Sequence, residues 1–234
     1  MTAVQYIVEG GHRLHGSIRP SGNKNAALPI VAASLLSRNP VRLTNVPRIR
    51  DLETLVELLR SVGASAEWSE RNTLDISATD LRAEGLDPAL CVRIRASILL
   101  AAPLLARCGS VTLPAPGGDV IGRRRLDTHF LAFNQLGVRV VDDDGYRMQV
   151  EQLAGADVFL DEPSVTGTEN ALILAAASPG TTVLRNAASE PHVQDLARFL
   201  VALGARIDGI GTNTVTVHGG AALGETSVTH AIGP

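Results

Sequence analysis

The chain repeats itself three times, so any fold proposed for it must accommodate three like units. Leu43–Gly63 reads LTNVPRIRDLETLVELLRSVG, and Leu184–Gly204 reads LRNAASEPHVQDLARFLVALG, aligned without a gap. Leu113–Gly137 reads LPAPGGDVIGRRRLDTHFLAFNQLG, the same frame with four residues added. Each unit follows a small-residue helical run and a turn (AASLLSRNPV, APLLARCGSV, AAASPGTTV) and precedes a short β-branched strand. The four-residue insertion, rich in Gly and Arg, occurs only in the middle unit. A departure from a repeat marks the first place to look for chemistry.

Periodicity assigns the elements. Asn25–Leu36 is apolar nearly all round, as a fully buried helix requires, and Asn39-Pro40 ends it. Val41–Leu43 is a strand, and Asp51–Val62 carries Leu52, Leu55, Val56, Leu59 and Val62 on one stripe. Asp51 is read as its N-cap, Gly63 as its stop, and Thr73–Ile76 as the returning strand. The second unit has helices over 96–106 and 127–136 and strands over 110–113, 138–141 and 146–150, the last two joined by the turn Asp142-Asp143-Asp144-Gly145. The third has helices over 168–177 and 193–203 and strands over 182–184, 206–208 and 214–218. These predict one α/β domain of three βαβαββ-type repeats, over about 21–78, 90–150 and 158–219, with buried helices inside.

Composition excludes several classes. Apolar residues at 45% and charged residues at 19% describe a globular chain with a sizeable core. A net charge of -3 argues against a nucleic-acid partner, which needs a basic face. Aromatics at 3% are too few for base-stacking platforms. No apolar run approaches the ~18 residues of a membrane span, and MTAVQYIVEGG has no signal-peptide pattern. Cys91 and Cys108 lie outside any metal spacing and read as packing residues of a cytoplasmic protein. Neither a metal nor an organic cofactor is expected.

The repeat frame places Lys24-Asn25, Arg95 and Thr168-Glu169-Asn170 at equivalent helix starts, expected at one end of the molecule. Helix N-termini favour anions, and Lys24 with Arg95 adds mobile and forked donors. The insertion PGGDVIGRRR adds close-approaching glycines, three arginines and Asp119, a carboxylate amid positive charge. Plainer readings stand beside these: Lys24 as a solvated turn residue, the arginine triplet as surface, and Asp119 as a turn former. His129 falls on its helix's apolar stripe, equivalent to Leu55 and Leu196, and reads as a packed core histidine. His192, after Glu190-Pro191, reads as a residue at the start of its helix. Spacing alone therefore reaches an anion-binding α/β domain.

Several segments, in order along essentially the whole chain, resemble the enolpyruvyl transferase family in its amino-sugar branch. They are Ser21-Gly22-Asn23-Lys24-Asn25-Ala26-Ala27-Leu28-Pro29, Arg95-Ala96-Ser97, Pro116-Gly117-Gly118-Asp119-Val120-Ile121-Gly122, Arg124 with Asp127 and His129, and Pro163-Ser164-Val165. The resemblance implies half of an inside-out α/β barrel. It also implies transfer of the enolpyruvyl group of phosphoenolpyruvate to the 3'-hydroxyl of UDP-N-acetylglucosamine, in peptidoglycan precursor synthesis. By the same resemblance Lys24, Asn25 and Arg124 hold phosphoenolpyruvate, and Asp119 is the catalytic proton donor. Asn25, Arg95, Arg124, Arg125, Leu126, Asp127, Thr128, Ser164 and Val165 hold the nucleotide sugar.

Many family members carry Cys where this chain has Asp119, so insensitivity to the thiol-alkylating epoxide fosfomycin is expected. Leu99 and Glu162 depart from the family pattern on the uridine side. The family is about twice this length, with a second, similar domain across the substrate cleft. The expectation is therefore a first domain over 21–230, with residues 1–20 joining a C-terminal domain supplied in cis or in trans. Tyr6–Ile18 is expected as a strand pair with an exposed edge. Two alternatives remain: a nucleotide-sugar-binding module without turnover, and a transferase with another acceptor such as shikimate 3-phosphate.

Overall fold

Helices made of Ala, Leu, Ile and Val with few polar interruptions can be buried on every side, and the fold is organised around such helices. The computed structural model describes residues 5–118, 125–143, 145–220 and 222–234. The first unit comprises α1 (Lys24–Ala33), β1 (Val41–Thr44), α2 (Arg50–Ser61), β2 (Ser65–Glu70) and β3 (Thr73–Ser77). A short α3 (Pro88–Cys91), capped by Asp87, leads into the second. There a 3-10 stretch, Arg95–Leu100, runs into α4 (Ala101–Cys108), followed by β4 (Ser110–Leu113), α5 (Asp127–Gln135), β5 (Val138–Asp142) and β6 (Tyr146–Val150). The third is β7 (Asp157–Phe159), α6 (Val165–Ala177), β8 (Gly180–Arg185), α7 (Pro191–Ala202), β9 (Arg206–Asp208) and β10 (Thr214–Gly219). The last strand is β11 (Val228–Ala231).

Three sheets surround the central helices, with strand orders β11-β1-β3-β2, β4-β6-β5 and β7-β8-β10-β9. In the third unit β7 runs parallel to β8 while β8, β10 and β9 alternate, which is the expected βαβαββ pattern. The first unit has the same layout, but its parallel outer strand is β11, from the far end of the sequence. Helices α1, α4 and α6 pack against one another inside these sheets. Residues 26–33 and 167–176 are buried throughout. Amphipathic α2 and α7 bury only one face, with Leu52, Leu55 and Leu59, and Val193, Leu196 and Leu200, pointing inward.

Several expectations are corrected. The N-cap of α2 is Ile49, and Asp51 lies inside the first turn. Gly63 does stop the helix, at φ +96°, a backbone region open to glycine. The segment 96–106 is not one α-helix, because its first turns are wound as 3-10 from Arg95. Helix α6 begins three residues before the predicted start, since Ser164 caps it by accepting from the Gly167 N–H at 3.2 Å. Tyr6–Ile18 forms no strand, and Tyr6, Ile7, Val8, Leu14 and Ile18 are all at least 85% exposed. A two-stranded ribbon with no sheet or helix to cover it is marginal in water, which is why the apolar alternation there does not suffice.

Candidate active site

Position in the repeat brings the central helix starts to one end of the molecule. Asn23 caps α1, its side chain accepting from the Asn25 N–H at 2.7 Å. Lys24 and Asn25 therefore occupy the first turn, pointing out of the core. Pro29 sits inside the helix and offers no N–H to the Asn25 carbonyl one turn earlier. The Arg95 turn and the start of α6 complete the rim of a cleft of about 480 Å³. Lys24, Asn25, Arg93, Arg95, Val165 and Glu169 are among its lining residues.

Electrostatics divide the cleft. Lys24 Nζ lies 2.5 Å from Asp51 Oδ2, with both side chains more than a third exposed. Such a pair is worth less than about 1 kcal/mol, so an anion can compete for the ammonium. Replacing Asp51 with Asn should tighten inorganic phosphate binding about threefold, the worth of an exposed pair. A phosphate titration followed by NMR that shows weaker binding would place the anion elsewhere. Arg95 Nη2 donates to the Arg125 carbonyl at 3.3 Å, tying the second unit's cleft wall to the start of α5. Leu28 and Pro29, on the helix of Lys24, and Ala96 and Leu99, on the stretch of Arg95, add apolar surface to the same lining.

The starts of α5 and α6 are joined through buried polar groups. A Cβ on Gly167 would stand 3.0 Å from Thr128 Cγ2, so only glycine lets the two helices approach this closely. Thr128 Oγ1 donates to Asp161 Oδ1 at 2.6 Å. His129, 2% exposed, is held by α6 on both ring nitrogens. Asn170 Nδ2 stands 2.9 Å from His129 Nδ1 and also donates to the Ile98 carbonyl, so Nδ1 accepts. The ring proton is then on Nε2, 3.1 Å from Thr166 Oγ1. Burial, then the charge of Arg95, pushes the His129 pKa down to about 3, so the ring is neutral. The core-histidine reading holds.

The structure thus gathers Lys24, Asn25, Arg95 and Val165 around one cleft. Ser164 and Thr128 lie directly behind it as cap and helix contact. Arg125 and Asp127 form an exposed ion pair with each other, and Leu126 is buried at the start of α5. These three are absent from the described cleft lining. Asp119 and Arg124 lie outside the described residues. Gly118, just before them in sequence, lines the cleft, and a Cβ there would meet the Arg95 backbone nitrogen at 3.1 Å. Sequence reasoning missed Arg93, Asp51 and His192 as cleft residues, and it placed Glu169 only by repeat position. Arg93 had a signal, being two residues from Arg95 in the same basic stretch. The other two had none.

Cys91 is fully buried, and burial pushes its thiol up to about 11, which makes it inert. Among the described residues no cluster of His, Cys, Asp or Glu has metal-site geometry. No described helix is long and apolar enough to cross a membrane.

Comparison with known proteins agrees with this layout. Residues 8–234 match the family model described as EPSP synthase (3-phosphoshikimate 1-carboxyvinyltransferase). The UDP-N-acetylglucosamine 1-carboxyvinyltransferase of Bradyrhizobium diazoefficiens is 72% identical over 227 residues, covering 97% of this chain and 53% of the relative. The protein of the same name from Treponema denticola is 48% identical, covering 98% and 54%. The crystal structure of the enolpyruvyl transferase NikO from Streptomyces tendae superposes with a TM-score of 0.82 at 26% identity, covering 96% of this chain and 53% of that one. An EPSP synthase structure from Acinetobacter baumannii, at 18% identity and a TM-score of 0.71, shares the fold. The chain spans about half the length of the curated relatives it matches.

Proposed function

This chain belongs to the EPSP synthase (3-phosphoshikimate 1-carboxyvinyltransferase) family, and on that footing we propose that it forms one wall of a UDP-N-acetylglucosamine 1-carboxyvinyltransferase site in the cytoplasm. The observation that carries the reading is the cleft itself. The pair Lys24-Asn25, Arg95 and Val165, from three separate stretches of the sequence, line it together. The likeness to the Bradyrhizobium and Treponema proteins supports the amino-sugar acceptor over shikimate 3-phosphate.

The chemistry suits these residue types. The 3'-hydroxyl of the sugar gives up its proton and its oxygen adds to C2 of phosphoenolpyruvate, while a proton is delivered to C3. The tetrahedral adduct then loses phosphate from C2 and a proton from C3, leaving the enol ether. Loss of phosphate from C2 leaves the bonding electron pair on the departing group, and fixed cations stabilise that charge. In this reading Lys24, with Asn25 and Arg124, holds phosphoenolpyruvate. Asn25, Arg95, Ser164, Val165 and the stretch Arg124–Thr128 hold the nucleotide sugar. Asp119, placed by sequence alone, gives the proton. No cofactor enters any step. A second domain, in cis or in trans, covers the cleft and excludes water, and residues 1–20 belong with it.

The test is phosphate release from phosphoenolpyruvate and UDP-N-acetylglucosamine, with and without a separately supplied C-terminal half. Turnover only with both halves supports the transferase. Binding of UDP-N-acetylglucosamine without turnover in either mixture points to a non-catalytic module. Absence of binding removes both readings. In the active mixture, fosfomycin should leave the rate unchanged, because a carboxylate at 119 lacks the soft thiolate an epoxide alkylates. A mass increase of one fosfomycin on the 119 peptide would contradict this.

A further inference from the structure

Two lining residues of the cleft carry buried polar atoms that have no partner. Glu169, on the second turn of α6, is 1% exposed yet lines the cleft, and its Oε1 has no hydrogen-bond partner. His192, on the first turn of α7, lines the same cleft, and its Nε2 is likewise buried without a partner. Buried polar atoms are nearly always satisfied, so two orphans on one cavity wall mark a place where something else supplies the partners. Leu28, Pro29, Ala96 and Leu99 line the same cleft, and a polar atom buried there with its hydrogen bond unmet is costly.

We infer that Glu169 and His192 form a subsite for the carboxamide of an N-acylated sugar, and that this part of the lining selects for the acyl group. The inference rests on the nucleotide-sugar reading above. A carboxyl that keeps its proton presents one O–H donor and one C=O acceptor, the complement of an amide's C=O and N–H. Burial, and then the charge of Glu190, pushes the Glu169 carboxyl well above its ordinary range, in keeping with that state. The imidazole of His192 supplies a further donor or acceptor. The lining cations, Lys24, Arg93 and Arg95, remain for phosphate. A site built to hydrogen-bond an amide rejects a ligand that lacks it, because its own groups are then left unpaired.

The experiment measures the affinity of the full chain for UDP-N-acetylglucosamine, UDP-glucose and UDP by NMR titration. The wild type should prefer the N-acetylated sugar over UDP-glucose by about tenfold or more. In Glu169→Leu this preference should fall to about one, and Glu169→Gln, which keeps a donor and an acceptor, should restore most of it. His192→Ala should lower the preference several-fold, and it carries the test if Glu169→Leu fails to fold. A preference unchanged in these variants, with wild-type binding intact, overturns the subsite alone and leaves its floor to ordered water. A wild type that binds none of the three ligands overturns the nucleotide-sugar reading, and the subsite with it.

Discussion

Acidification from pH 6.5 to 4.5 should destabilise a Glu169→Gln chain by about 2 kcal/mol, while a His129→Leu chain should gain stability over the same range. The two effects come from two buried groups of opposite sign. His129 is neutral in the fold, with its pKa depressed from 6.5 to about 3 by burial and by Arg95. Its contribution is present above 6.5 and is lost as pH falls toward 3, because the unfolded chain takes the proton first. Glu169 is shifted the other way, raised by burial and by Glu190. Its contribution is complete below 4.5 and is lost as pH rises through the folded value.

Between 4.5 and 6.5 the two oppose each other, and the wild type should show the shallowest dependence of the three proteins. Below 4.5 the glutamate no longer opposes the histidine, and the acid limb steepens. Across the full window it amounts to roughly 5 kcal/mol at 1.36 kcal/mol per pH unit, comparable with the whole stability of many domains. Urea denaturation at half-unit pH intervals reads all three curves. Parallel slopes for the wild type and His129→Leu would show that the ring titrates freely.

The second large effect is steric. A Cβ added to Gly117 would stand 1.5 Å from the Val92 carbonyl oxygen and 2.5 Å from its carbon, distances no side chain adopts. The backbone at 116–118 and the turn carrying Arg93 and Arg95 must separate. Gly117→Ala should therefore cost about 3 kcal/mol, or roughly 10 °C in Tm for a chain of this size. Because Gly118 packs on Arg95, affinity for UDP-N-acetylglucosamine should fall at least tenfold as well. Gly109→Ala is the control. Nothing stands within 4 Å of its added Cβ, and only its φ of +80° is strained, so it should cost about 1 kcal/mol and leave binding alone. Equal Tm values for the two variants would mean that residues 116–118 are not seated on Val92.

What the sequence disclosed, and what it hid, follows from the reach of the forces involved. The amphipathic stripes of α2 and α7 and the all-apolar α1 and α6 carry their burial in local periodicity, and they were legible. Strand β2 was missed because SAEWSE buries Ala66 alone and lacks the alternation of a half-buried strand. Strand β11 was missed because its partner, β1, lies nearly the length of the chain away, and no local pattern reports such a pairing. In the site, repeat arithmetic placed Lys24, Asn25 and Arg95 correctly around one cleft. It could not foresee that Asp51 turns from capping to meet Lys24. Nor could it foresee that His192 faces inward, since both depend on side-chain direction.

The closure of the first sheet by β11 gives the three-unit body the topology of a ring with a clasp. Beside that strand, the Gly233 carbonyl accepts from the Asn23 N–H at 2.7 Å, and Asn45 Nδ2 donates to the Ile232 carbonyl at 2.8 Å. Asp195 locks the same spot, accepting from the Gly233 N–H and pairing with His230 at 3.0 Å. The first residue beyond the clasp is Lys24. Charge captured by that ammonium and strain at residues 232–233 are therefore felt through one peptide unit and one hydrogen bond. By linkage, to the extent that loosening the clasp alters anion affinity, an anion stiffens the clasp by the same free energy.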